Sequence, residues 1–153
     1  METILSYIPL DISLIAENFD RFLYGVWVTL NLTFLALLLG GLLAVPMAIA
    51  RASKHRVFNP VVQAYTYVFR GTPLLVQTSL IYYGVGQFEV IRQSFLWDPI
   101  LSSAWWCALI AFTLNTAAYT TELLRGAIAD TPKGEVEAAI ATGHSYRSRM
   151  RRI

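Results

Sequence analysis

Three groups of residues in this chain have the types and spacing to do chemistry. Asn115, Tyr119 and Glu122 recur at i, i+4 and i+7 within an otherwise apolar stretch, which puts all three on one face of a helix. Glu122 is the ionisable member. Among apolar neighbours its carboxylate could attract a cationic ligand, or it could simply pair with Arg125 three residues on. The second group, Arg70-Gly71-Thr72-Pro73, places a glycine and a proline two residues apart, which breaks regular helical hydrogen bonding. It suits either a flexible gate or a plain helix entry with Arg70 at the headgroups. The third is Glu135-Val136-Glu137-Ala138-Ala139-Ile140-Ala141-Thr142-Gly143, where Val136, Ala139 and Ile140 form a small apolar stripe and glutamates near the start suit a helix dipole.

Catalytic arrangements are absent from the sequence. There is no Gly-xxxx-Gly-Lys-Ser/Thr phosphate loop, so the chain is not itself an ATPase. His55 and His144 lie in basic segments and form no set with a serine or with Cys107. The single cysteine rules out a disulfide within the chain, and nothing supports a metal site or a bound cofactor. No nucleic-acid partner is expected. The chain is not a self-sufficient enzyme.

The elements that must position these groups are set by a scarcity of charge. Of 153 residues, 56% are hydrophobic and only 14% charged, unlike a soluble domain. Apart from tyrosines and Cys107, nothing ionisable lies between Arg21 and Arg51, Arg70 and Glu89, or Asp98 and Glu122. About 20 helical residues cross a hydrocarbon core of about 30 Å. A bilayer offers the backbone no partners, so spans are helices or closed barrels, and these runs are too long and uniformly apolar for barrel strands. The reading is an all-α integral membrane chain with three spans, at about 22–50, 65–86 and 101–127. The second borrows the apolar run before Arg70.

Ten of the twelve basic residues fall in the Arg51 to Arg56 loop, at Arg70 just beyond it, or in the segment from Arg125 onward. The positive-inside rule makes those segments cytoplasmic, with the N-terminus outside and the C-terminus inside. Residues 1–21 carry Glu2, Asp11, Glu17 and Asp20 with no basic start, so they are expected to form an extracytoplasmic segment rather than a cleaved signal.

Along the first span, Ala36, Gly40, Ala44 and Ala48 recur every four residues, a face on which another helix can pack closely. Pro46 is expected to bend its inner end. Asn59-Pro60 signals a helix start. Trp97, Trp105 and Trp106 suit an aromatic band at the outer interface. After the third span, Thr131 is expected to cap a new helix over about 131–143 with Pro132 at its first position. Gly143 is expected to end that helix with a positive φ.

Phe69-Arg70-Gly71-Thr72-Pro73-Leu74-Leu75-Val76-Gln77, then Leu114-Asn115-Thr116-Ala117-Ala118-Tyr119-Thr120-Thr121-Glu122-Leu123, then Pro132 to Ala139 followed by Gly143, resemble three motifs of the permease subunits of ATP-binding-cassette importers for polar amino acids. The likeness is in particular to histidine, lysine, arginine, ornithine and opine permeases, and it covers nearly everything from Phe22 onward. It implies a type I importer permease fold over 22–153 in the cytoplasmic (inner) membrane. Glu135, Glu137, Ala138, Ala139 and Gly143 would then form a cytoplasmic coupling helix that docks on an ATPase. Arg70 to Pro73 would form a gate or helix break, and Asn115, Tyr119 and Glu122 would border the path of a polar, basic amino acid or opine. The implied partners are cytoplasmic ATPase subunits that hold ATP and Mg, a second permease subunit, an external substrate-binding protein and the bilayer.

Such permeases continue past the coupling glycine through an Ile-x-Leu-Pro stretch into two further spans, five in all. The present sequence is therefore expected to be incomplete at its C-terminus. The competing expectation is a truncated, non-transporting membrane protein that keeps the ATPase-docking helix.

Overall fold

The computed structural model describes residues 18–52 and 58–152. The expected outer segment therefore lies almost wholly outside the described residues, as do Lys54 and Arg56 of the basic loop. Every described element is helical.

The first helix, α1 (Phe19–Ala52), runs 34 residues and continues through Pro46. Among the described residues it is the one helix long and apolar enough, by length and composition, to cross a membrane. Packing divides the chain between Phe34 and Leu35, part-way along it. In the first unit, α1 leaves Phe22, Tyr24, Trp27, Leu30 and Phe34 exposed, and Thr29 Oγ1 donates to Gly25 O at 2.9 Å.

The second unit holds the rest. Ala36, Gly40, Ala44 and Ala48 are the buried residues of α1. Their small size decides how close another helix comes: a Cβ on Gly40 would stand 2.8 Å from Thr116 Cβ and 3.1 Å from Thr113 O. No side chain fits there without displacing α5 (Ala104–Asp130).

The second apolar stretch is divided. Helix α2 (Phe58–Gly71) spans 14 residues, with Pro60 in its first turn, where a missing N–H costs nothing. Pro73 is extended, and α3 (Leu74–Ser79) follows it. The path then stays helical through a π turn at Leu80–Gly84 and a 3-10 turn at Val85–Gln87. Short α4 (Glu89–Arg92) and a second π turn at Trp97–Leu101 complete the connection. Trp97 lies over Gly86, where an added Cβ would stand 2.9 Å from the indole ring. Trp105 and Trp106 meet edge to face at 4.9 Å.

The third long helix, α5, opens at Ala104, three residues after the expected start, because Ser103 is extended. It packs against α2, α3 and the π turn that continues α3. Neither α2 with α3 nor α5 meets the measure that α1 meets. The break shortens the former, and the polar residues in the C-terminal half of α5 lower its apolar character.

Two short helices end the described chain, α6 (Lys133–Ala141) and α7 (Tyr146–Arg152). One expectation is corrected here. Pro132, not Thr131, occupies the cap position of α6, and no side chain caps it. The Thr131 hydroxyl turns back and donates to Ala127 O at 3.3 Å on α5, so it satisfies a carbonyl of the preceding helix instead.

Candidate functional site

The break between α2 and α3 frees backbone carbonyls in the middle of an apolar stretch. At membrane depth such groups need protein or water partners. Gln77, buried on α3, turns its amide back across the break. Its Nε2 lies 2.7 Å from Phe69 O, 3.0 Å from Thr72 O and 2.7 Å from Thr72 Oγ1. The Thr72 hydroxyl donates to Val68 O at 2.9 Å. From α5, Asn115 Nδ2 lies 3.2 Å from Gln77 Oε1 and 3.4 Å from Phe69 O. One turn further along α5, Tyr119 donates its hydroxyl to Arg70 O at 3.3 Å. The Tyr65 hydroxyl donates from α2 to Leu114 O. The polar face of α5 therefore meets the carbonyls that the Gly71–Pro73 interruption leaves open.

A second cluster lies further toward the C-terminal end of α5. Glu122 accepts from Arg51 Nε at 3.1 Å through Oε1 and from Arg125 Nε at 2.7 Å through Oε2. Thr66 donates its hydroxyl to the same Oε1 at 3.1 Å. The Arg51 and Glu122 side chains are only 12% and 11% exposed, so their mutual neutralisation is what makes their burial tolerable. Arg51 also donates to Asn59 and, at 3.3 Å, to Gln63 Oε1. Asn59 Nδ2 returns a bond to Arg51 O at 3.3 Å. One carboxylate thus ties the C-terminal end of α1, the first three turns of α2 and the C-terminal half of α5.

Arg70 differs from both other arginines. Its guanidinium lies 5.4 Å from the centre of the Tyr119 ring, and among the described residues no carboxylate pairs with it. A hollow of about 330 Å³ is bordered by Arg51, Gln63, Thr66, Arg70, Gly71 and Glu122.

The nine-residue α6 carries the third group. Glu135, Glu137 and Ala138 are exposed, Val136 and Ala139 half-buried, and Ile140 is exposed. The expected apolar stripe is therefore split: Val136 faces a hollow of about 400 Å³ with Val45, Ile49, Leu124 and Ala127, while Ile140 remains outward. Gly143 has φ +79°. His144 N donates to Ala139 O and Gly143 N to Ile140 O, both at 2.9 Å, the paired bonds of a Schellman ending.

The polar face Asn115, Tyr119, Glu122 and the segment Arg70 to Pro73 are thus brought together, and the α6 residues form a separate group. Sequence reasoning passed over Gln77, Thr66, Asn59 and Arg51 as site residues. Gln77 had a readable signal: it is the one amide side chain in the run that follows the break. Among the described residues no three His, Cys, Asp or Glu side chains gather to hold a metal ion.

Comparison with known proteins gives concordant results. Residues 36–153 match the family described as binding-protein-dependent transport system inner membrane component. The chain is 46% identical over 145 residues to the nopaline transport system permease protein of Agrobacterium fabrum, covering 94% of this chain and 60% of that protein. It is 42% identical over 145 residues to the octopine transport system permease protein of Rhizobium radiobacter, covering 95% and 59%. With the histidine/lysine/arginine/ornithine transport system permease protein of Salmonella typhimurium it shares 43% over 121 residues, covering 79% and 52%. A crystal structure of an amino acid ABC transporter with histidines superposes with a TM-score of 0.76 at 31% identity, covering 94% of this chain and 63% of that one. The chain spans about three-fifths of the length of these proteins, and about half of the last permease named.

Proposed function

Because the chain belongs to the family of binding-protein-dependent transport system inner membrane components, we propose that it forms part of the translocation path of an ATP-driven importer for a polar, basic amino acid or opine. The observation that carries this reading is the polar face of α5 meeting the helix break: Asn115 and Tyr119 reach the backbone at Phe69 and Arg70, a polar seam through an otherwise apolar bundle of the kind that borders a path.

In this reading the chain crosses the inner membrane three times: along α1, along α2 with α3, and along α5. The N-terminus is outside and the basic C-terminal segment is cytoplasmic. The α6 helix, with Glu135, Glu137, Ala138, Ala139 and Gly143, is the coupling helix. It docks on a cytoplasmic ATPase, which binds ATP and Mg and does the hydrolysis. Outward exposure of Ala138 and Ile140 suits such a contact. An external binding protein delivers substrate, and a second permease subunit completes the path. Arg70 to Pro73 is the gate, and Asn115 and Tyr119 border the path. Glu122 is already held by two arginines and a threonine, so its part is to hold the inner end of the bundle.

The test is ATP-dependent uptake of radiolabelled arginine and octopine by proteoliposomes containing the chain with its partner permease, ATPase and binding protein. Accumulation that needs ATP is the expected result. Co-purification with the ATPase in the absence of any uptake would refute the transport reading and leave a docking protein.

A further inference from the structure

We propose that Arg70 recognises the carboxylate of the transported molecule. This rests on the transport reading above, and it separates Arg70 from the backbone break of which it is the first residue.

The argument begins with depth. Tyr119, which holds the Arg70 carbonyl, lies about 22 Å along α5 from Ala104 and about 16 Å from Asp130 at ~1.5 Å per residue. A helix of 27 residues overhangs a hydrocarbon core of about 30 Å by roughly 5 Å at each end. With that overhang the Arg70 carbonyl lies roughly 10 Å inside the boundary at the Asp130 end. A guanidinium at that depth must face protein or a water-filled path and find a partner.

The other two arginines of the inner half have one. Arg51 and Arg125 share Glu122. Arg70 is exposed, and among the described residues it has no carboxylate partner. Its place against the Tyr119 ring supports the cation, and among the described residues no acceptor takes its N–H donors. Arg70 borders the hollow shared with Arg51, Gln63, Thr66, Gly71 and Glu122, and the charge of Glu122 is already matched there by Arg51 and Arg125.

The surroundings hold Arg70 in position. Bonds from Tyr119 to Arg70 O and from Gln77 and Asn115 to Phe69 O fix the backbone at the residue itself and at its predecessor. A planar, always-charged fork carried on a backbone so held, with no acid paired to it among the described residues, is suited to bind a carboxylate in two parallel bonds. The molecules proposed as cargo have different side chains but each carries an α-carboxylate. A residue that reads this shared group would admit the class without choosing among its members.

Direct binding of radiolabelled arginine to the assembled permease–ATPase complex in nanodiscs, without the binding protein, tests the assignment. Agmatine, which is arginine without its carboxyl group, serves as competitor. The wild-type complex is expected to bind agmatine at least about tenfold more weakly than arginine. Arg70→Gln should weaken arginine by a similar factor with agmatine unchanged, and Arg70→Lys should recover part of the loss. Equal affinity for the two ligands in the wild type overturns the assignment, a comparison that does not depend on any variant folding. Undiminished arginine binding by Arg70→Gln overturns it too. ATP-driven arginine uptake by the wild type in the same preparation keeps the transport reading intact in either case. A wild-type complex that neither binds nor takes up arginine overturns that reading, and this assignment with it.

Discussion

Glu122 illustrates how one residue serves chemistry that its local sequence only half discloses. Its i, i+3 partner Arg125 is 39% exposed, and a pair of that kind contributes little in water. Arg51 is the weightier partner because both members are mostly buried. Removing one charge from such a pair leaves the other uncompensated. Glu122→Gln is therefore expected to destabilise the protein by about 3 kcal/mol, read as unfolding in detergent. A cycle with Arg51→Gln should show coupling above about 1 kcal/mol. Additive losses would mean that the two side chains do not depend on each other. The i, i+3 pair was legible in the sequence; the Arg51 pair joins residues 71 positions apart and was not.

At the scale of elements, α6 is defined by how it stops. Gly143 has nothing within 4 Å of where a Cβ would be, so a substitution there acts through the backbone conformation and not through a clash. At φ +79° an L side chain costs about 1–2 kcal/mol, most for a β-branched residue and less for asparagine. Gly143→Val should therefore unwind the end of α6 and reduce co-purification of the ATPase, while Gly143→Asn should retain most of it. Full retention by the valine variant would show that docking does not need the Schellman ending. The glycine ending was legible because a helix that must turn after a small-residue stripe needs the one residue free to adopt positive φ. The start was not: Thr131 had two partners available, an N–H ahead and a carbonyl behind, and took the carbonyl at Ala127.

For the whole molecule, the distribution of charge predicts orientation. Arg51 and Arg125, joined through Glu122, lie toward the end of the bundle from which α6 emerges, and the segment around Glu89 to Trp97 lies at the other. Alkaline phosphatase fused after Ser94 should be active, and green fluorescent protein fused after Gly143 should fluoresce. The opposite pattern would invert the proposed topology. The same distribution explains why composition marks α1 alone among the described helices as able to cross a membrane. The other two candidates carry their polar groups on the faces they turn to each other.

What the sequence by itself determined is what one residue or one turn encodes. The interruption at Gly71 to Pro73 follows from a proline ring and a missing donor. The close approach at Gly40 follows from the absence of a side chain, and the polar face of α5 from a spacing of 3.6 residues per turn. What only the tertiary structure decided is which distant group meets which. Gln77 and Asn115, 38 positions apart, cover the open carbonyl of Phe69, and Arg51 and Arg125 take Glu122 while Arg70 is left with a tyrosine ring. Those choices depend on separations through space, set by how closely small residues let α1 and α5 approach and by where the break turns α3 back toward α5.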